Sequence, residues 1–128
     1  MALRVRDIKH ELPIFAVKYG DLDILKYAHQ SGCKWDKSIC AYAALNGHLE
    51  CLKYAHQNGC PWDETTTTNA TRNGYLHCLK YAYENGCDIN LNLCNYISRK
   101  EDYEDCYDYI KQIQLEQNEQ NEKNEQNE

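Results

Sequence analysis

Apolar positions return along this chain on a fixed beat. Gly20, Gly47 and Gly74 stand 27 residues apart, and each opens the same line, G-x-L-x-x-L-K-Y-A, which closes on Gly32, Gly59 or Gly86. In the middle copy Leu49, Leu52 and Ala55 recur at every third residue, with Cys51 and Tyr54 on the adjoining stripe and Glu50, Lys53 and Gln57 opposite. That spacing predicts a helix whose apolar arc is wide enough to pack neighbours on both sides. Asp23 with Lys26 and Glu50 with Lys53 are placed to pair one turn apart, at about 0.2–0.5 kcal/mol each. The pairs Ser31-Gly32, Asn58-Gly59 and Asn85-Gly86 predict its end, with glycine in the left-handed position past the last turn.

A second element follows each glycine. Asp36, Asp63 and Asn90 align as N-caps, which predicts helices over 37–45, 64–72 and 91–99. Ala43 and Ala70 align within them, and Asn46-Gly47 and Asn73-Gly74 predict the tight turn back. The repeated line is expected to form the longer helix of each pair and the variable segment the shorter. A unit of this size cannot bury its own apolar face, so the period predicts an all-α solenoid of stacked helical pairs.

The ends are degenerate copies. Leu12 to Gly20 matches the second helix and its turn, with Phe15 at the Tyr42 position, Ala16 at the Ala43 position and Ile8 at the Trp35 position. Residues 101–114 echo the first helix with one residue inserted, their acidic side chains coating a capping surface. The expected organisation is an N-terminal capping half-repeat over 1–19, three units (20–46, 47–73 and 74–100), a capping helix over 101–114, and a tail over 115–128. In the tail Glu recurs every third residue between Gln and Asn, with nothing to bury, which predicts disorder or a frayed extension of the last helix.

Charge and composition narrow the function. The net charge of −6 argues against general affinity for nucleic acid or anionic membrane. No apolar run is long enough to span a bilayer, and the N-terminus lacks the apolar core of a secretory signal. Eight cysteines raise the question of a disulfide scaffold. Cys33, Cys60 and Cys87 share one repeat position, however, and Cys51 and Cys78 another. Equivalent residues in stacked helices lie about 8–10 Å apart, beyond the roughly 7 Å limit of a disulfide. Reduced thiols filling small apolar gaps are expected, in an intracellular setting.

Cys51, His56 and Cys60 carry the donor types of a zinc site. Against that reading, the third copy has Tyr83 in place of His56, the first has Ile24 in place of Cys51, and no C-x-x-C pair occurs. Trp35 and Trp62 share their position with Ile89, which predicts an apolar socket between units. No nucleophile elbow, phosphate loop or H-E-x-x-H is present, and Asp102, Glu104 and Asp105 read as a solvated face, so no catalytic residue and no cofactor is expected.

The stretch "TTTTNATRNGYLHCLKYAYENGCDIN" resembles the second half of an ankyrin repeat, in its helix alanine, its N-G turn, its G-x-L-x-x-L-K helix and its N-G-x-x-x-N exit. The usual ankyrin unit has about 33 residues with a projecting β-turn and a T-P-L-H start. The shorter period here drops both, which implies ankyrin-like helical pairs without the finger. The line "GHLECLKYAH-x-NGCPWDE" is similar to shortened ankyrin repeats of large DNA viruses of amoebae and of some protists. The resemblance implies a non-catalytic protein–protein interaction module, monomeric, with a protein partner, a host protein in a viral setting, and a location in the host cytoplasm or the virion. Because the second helices vary between copies, their aligned residues Tyr42, Leu45, Asn69, Arg72, Tyr96 and Arg99 are the expected partner-binding row on the concave side. A Cys/His metal-binding protein and a structural repeat without a specific partner are the two alternatives.

Overall fold

The computed structural model describes residues 5–127, and the side chains of residues 11–127. Eight helices follow one another: α1 (Val5–Tyr19), α2 (Leu22–Gln30), α3 (Lys37–Leu45), α4 (Leu49–Gln57), α5 (Glu64–Arg72), α6 (Leu76–Glu84), α7 (Leu91–Lys100) and α8 (Glu104–Gln126). No strand occurs among the described residues. Tight glycine turns fold α1 on α2, α3 on α4 and α5 on α6, and the pairs stack into two rows. The inner row is α1, α3, α5 and α7; the outer row is α2, α4, α6 and α8.

Local chemistry sets these boundaries. Asp36 caps α3 by accepting from the amide of Ser38 at 2.9 Å, Asp63 caps α5 from the amide of Thr65 at 2.9 Å, and Asn90 caps α7 from the amide of Leu93 at 3.1 Å. The outer helices end in six-to-one turns: the amides of Cys33, Cys60 and Cys87 donate to the carbonyls of Ala28, Ala55 and Ala82. Each such turn needs the left-handed glycine between.

Leu25, Leu52 and Leu79 are fully buried, one on each of α2, α4 and α6, and form the spine of the core with Ala28, Ala55, Ala82 and the cysteines, while Ile110 and Ile113 serve on α8. The inner joints are filled by small side chains: Ala16, Ala43, Ala44, Ala70, Thr67 and Thr71. The outer joints carry whole rings, Tyr54, Tyr81 and Tyr109. Small fillers let the inner helices approach more closely than the outer ones, so the stack bends toward the inner row.

Several expectations need correction. The two helices of a pair do not differ in length; α2 to α6 are each nine residues long. The variable inner segment "TTTT" is no free surface: Thr66, Thr67, Thr68 and Thr71 are buried, because α5 has a neighbour on each side and its own outer partner behind. Thr67 Oγ1 donates between the carbonyls of Glu64 (2.9 Å) and Asp88 (2.8 Å), and Thr71 Oγ1 donates to the carbonyl of Thr67 (2.9 Å). The hydroxyls of Thr67 and Thr71 replace apolar fillers of α3 where carbonyls are there to receive them, whereas Thr66 Oγ1 is buried without a hydrogen-bond partner.

The Glu50–Lys53 pair forms at 3.8 Å, whereas Lys26 lies over the Tyr54 ring, 5.9 Å from its centroid. At the N-terminus α1 runs unbroken from Val5 to Tyr19, and the side chain of Ile8 lies outside the described residues. At the other end α8 continues past Gln114 to Gln126, so of the two expectations for the tail the helical extension is the one seen. The tail has no helix breaker, and one-turn pairs run along it: Gln112 to Glu116 (3.2 Å), Gln114 to Asn118 (3.3 Å) and Gln120 to Asn124 (3.3 Å). The inserted residue lies before α8, so Asp102 takes the left-handed place of Gly20, Gly47 and Gly74, with φ of 61°.

The caps carry a pH dependence. The Ser38 hydroxyl, then its amide, holds the Asp36 carboxyl below its usual value. Lys37 does the same for Asp63, across the joint between units at 3.0 Å, aided by Thr65. Both folded values lie below the unfolded one, so the unfolded chain binds protons first as the pH falls. Their contribution is complete above about pH 4 and is lost as the pH drops through the folded values. Thermal melts should therefore show a midpoint that falls below about pH 4, with a smaller fall in an Asp36→Asn/Asp63→Asn double variant.

Candidate functional site

Two sets of side chains competed for a role in the sequence. One holds His, Trp and Cys in the repeated line; the other is the variable inner row. The structure gives the first set a complete mechanical use.

His29 stacks on Trp35 with centroids 4.3 Å apart and planes at 8°, and His56 stacks on Trp62 at 3.8 Å and 9°. The tyrosine of the next unit closes each pair. Tyr54 meets Trp35 edge-on at 6.2 Å and its hydroxyl lies 2.9 Å from His29 Nδ1; Tyr81 meets Trp62 at 6.1 Å with its hydroxyl 3.0 Å from His56 Nδ1. Lys53 Nζ sits over the outer side of Tyr81, 5.9 Å from the centroid. In the third unit Tyr83 and Ile89 replace the His–Trp pair, and Tyr109 of α8 meets Tyr83 at 6.3 Å. The socket expected around Trp35, Trp62 and Ile89 is therefore present, half-buried and lined by rings. Tyr81→Phe should cost about 0.5–1.5 kcal/mol in denaturant unfolding, the net value of one hydrogen bond. Tyr27→Phe, at the open end of this ladder, should leave stability unchanged.

A second ring contact locks the turns. The imidazole of His48 covers Gly20, the Tyr75 ring covers Gly47 and the Tyr103 ring covers Gly74, each within 3 Å of where a Cβ would stand. His48 Nε2 also donates to the carbonyl of Lys18 at 3.1 Å.

All eight cysteines are free and buried. Cys60 Sγ donates to the carbonyl of Asp36 at 3.2 Å and Cys87 Sγ to that of Asp63 at 3.1 Å, tying each loop to the one before. Burial pushes the thiols of Cys51 and Cys106 up to about 11 and those of Cys78 and Cys87 up to about 12. Cys40 is raised by its contact with Cys60 and by burial. Cys60 runs the other way, its thiol held below its usual value by the contact with Cys40. Because all eight sulfurs are buried and only accessible thiolate reacts, a disulfide-exchange reagent should label the native protein only as fast as it opens, and all eight thiols at once in denaturant. Cys51, His56 and Cys60 are not gathered: no three His, Cys, Asp or Glu side chains among the described residues are placed to hold a metal ion. His56 Nδ1 faces Tyr81, and the Cys60 thiol faces a backbone carbonyl.

The second set lies along the inner row in two columns, each one period apart. Phe15, Tyr42, Asn69 and Tyr96 form one; Lys18, Leu45, Arg72 and Arg99 form the other. Tyr42, Leu45 and Asn69 are half-buried, and Arg72, Tyr96 and Arg99 are exposed. Lys18 Nζ lies 5.3 Å from the centroid of Tyr42. Asn69 is partly committed to stacking, since its Nδ2 donates to the carbonyl of Ala41 at 3.1 Å, and Asn73 Nδ2 donates likewise to Leu45 at 2.6 Å. Shallow depressions occupy the same register at the two ends of the row. One is lined by Glu11, Ile14, Phe15, Lys18 and Tyr19, the other by Asn92, Asn95, Tyr96, Arg99 and Lys100. Sequence reasoning missed this pairing, although the period itself aligns the two sets residue by residue.

Comparison with curated proteins finds no match. A family model described as ankyrin repeats (3 copies) matches residues 14–92, which spans the C-terminal part of α1 through the start of α7. Repeats of this family generally mediate protein–protein interaction and are typically non-catalytic. With the stacked helical pairs, the glycine turns and that match over most of the chain, the protein belongs to the ankyrin-repeat family.

Proposed function

We propose that this chain is a non-catalytic interaction module that docks one protein partner on its inner row, through Tyr42, Leu45, Asn69, Arg72, Tyr96 and Arg99. The observation that carries the reading is the division of labour between the two sets. The histidines, indoles and thiols of the repeated line are consumed by the joints, while the inner row leaves Arg72, Tyr96 and Arg99 exposed beside Tyr42 and Leu45, which are only partly packed on the core. Tyrosine and arginine are the residue types that most often dominate interfaces. The missing finger leaves the helical face as the docking element. The likeness of the repeated line to the shortened repeats of amoebal DNA viruses supports a host protein as that partner and the host cell interior as its setting, with the module acting as a monomer.

Site-specific photocrosslinking tests this. A photoreactive residue at Leu45 should trap a partner from amoebal lysate, and one at Lys80 on the outer row should not. Equal trapping from both positions, or trapping from Lys80 alone, places the interface elsewhere. No trapping from either position favours a structural repeat without a partner.

A further inference from the structure

The inner row is electrically unlike the rest of the chain. The protein carries a net charge of −6. Yet Lys18, Arg72, Arg99 and Lys100 project from this one face, and among the described residues none of them forms an ion pair. The cations are not evenly spread. The depression at α1 has one lysine balanced by Glu11 and is otherwise apolar, with Phe15 47% and Tyr19 70% exposed and their rings 4.7 Å apart. The depression at α7 has Arg99 and Lys100 with Asn92, Asn95 and the Tyr96 ring, and Arg72 stands one period before Arg99. Asp102 and Glu104 share a separate depression with Arg99, and Glu101 follows Lys100, so the opposing acids gather at the far edge of the row.

From this polarity we infer that the inner row recognises an extended acidic peptide segment, with an aromatic or aliphatic anchor seated at the α1 depression and a carboxylate cluster seated on Arg72, Arg99 and Lys100. The inference rests on the reading that the inner row docks a protein. Three inner-helix spacings of about 8–10 Å separate the depressions. An extended chain crosses that distance in about seven to nine residues. Between the depressions Tyr42, Leu45 and Asn69 are half-buried, a low surface across which an extended segment can lie. Guanidinium groups match carboxylates in a planar, two-point geometry. The overall negative charge does not oppose this, because charges more than about 8–10 Å away are screened at physiological salt.

The test is a random library of peptides about twelve residues long, displayed on phage and panned over the full chain. The winners are then synthesised and measured by fluorescence anisotropy. The expected consensus is acidic at one end and aromatic or aliphatic at the other. Binding should weaken at least about tenfold in an Arg72→Glu/Arg99→Glu variant, and also in a Phe15→Ala/Tyr19→Ala variant. These side chains are exposed or lie at the row's open end, and circular dichroism checks that each variant stays folded.

Winners that are not acidic but lose affinity on Tyr96→Ala would overturn the inference and leave the docking row standing. Winners indifferent to every inner-row substitution, or no winners at all, would overturn both. Displacement of an acidic winner by a short single-stranded oligonucleotide would assign the cations to nucleic acid and overturn the inference.

Discussion

Gly47→Ala should destabilise the protein by about 2–4 kcal/mol, and Gly59→Ala by about 1–2 kcal/mol. Both glycines sit at left-handed backbone angles, φ of 72° and 86°, so any side chain there meets the same backbone cost. The difference lies in what stands above them. A Cβ at Gly59 meets nothing within 4 Å, whereas a Cβ at Gly47 falls 2.7 Å from the Tyr75 ring. That ring packs against the core and cannot withdraw without opening the joint between the second and third units. Chemical denaturation of the two variants checks the contrast. Equal losses would mean that the ring over the turn is incidental.

Leu52→Ala should cost about 3–5 kcal/mol, near the upper end for a buried leucine. Leu52 is fully buried at the centre of the array, with a leucine of the same register in the unit before and the unit after. Neighbouring helices are held apart by rings on the outer side and cannot collapse into the space, so both the lost transfer energy and the cavity count. A domain of this size has only about 5–15 kcal/mol to lose. The variant should melt far below the parent, and its amides should exchange along the whole array rather than in one unit. A loss under about 1 kcal/mol would place Leu52 outside the shared core.

The fold was largely legible because stacking repeats its demands. Three leucines, three N-caps and three exit glycines each answer one local requirement, so their recurrence every 27 residues exposes the helical pairs. The lengths of the helices and the burial of the threonines were not legible. Both depend on neighbours: Thr67 reads as a polar surface residue until Asp88 of the next loop supplies a carbonyl.

The binding row was legible as an alignment but not as a surface. Nothing local says that Asn69 will be drawn onto Ala41 or that the cations will cluster at α5 and α7. The use of His29 and His56 did leave a trace. In the third copy His gives way to Tyr83 and Trp to Ile89 together, which is how two residues behave when they touch each other rather than a metal. What hid the third member, tyrosine, is its distance: Tyr54 and Tyr81 lie 25 residues beyond their histidines, outside any helical or turn spacing.

The ladder of His, Trp and Tyr has one more implication. The first two joints each offer an imidazole and an indole on the trailing edge and receive a phenol on the leading edge, so the outer side of the middle unit is compatible with a copy of itself. Duplication of residues 47–73 would recreate the His–Trp–Tyr contact on the outer side of the new seam, and excision would bring His29 and Trp35 against Tyr81 in the same way. A change in length by whole units therefore keeps the outer ladder in register, and the reach of the inner face changes in steps of one helix.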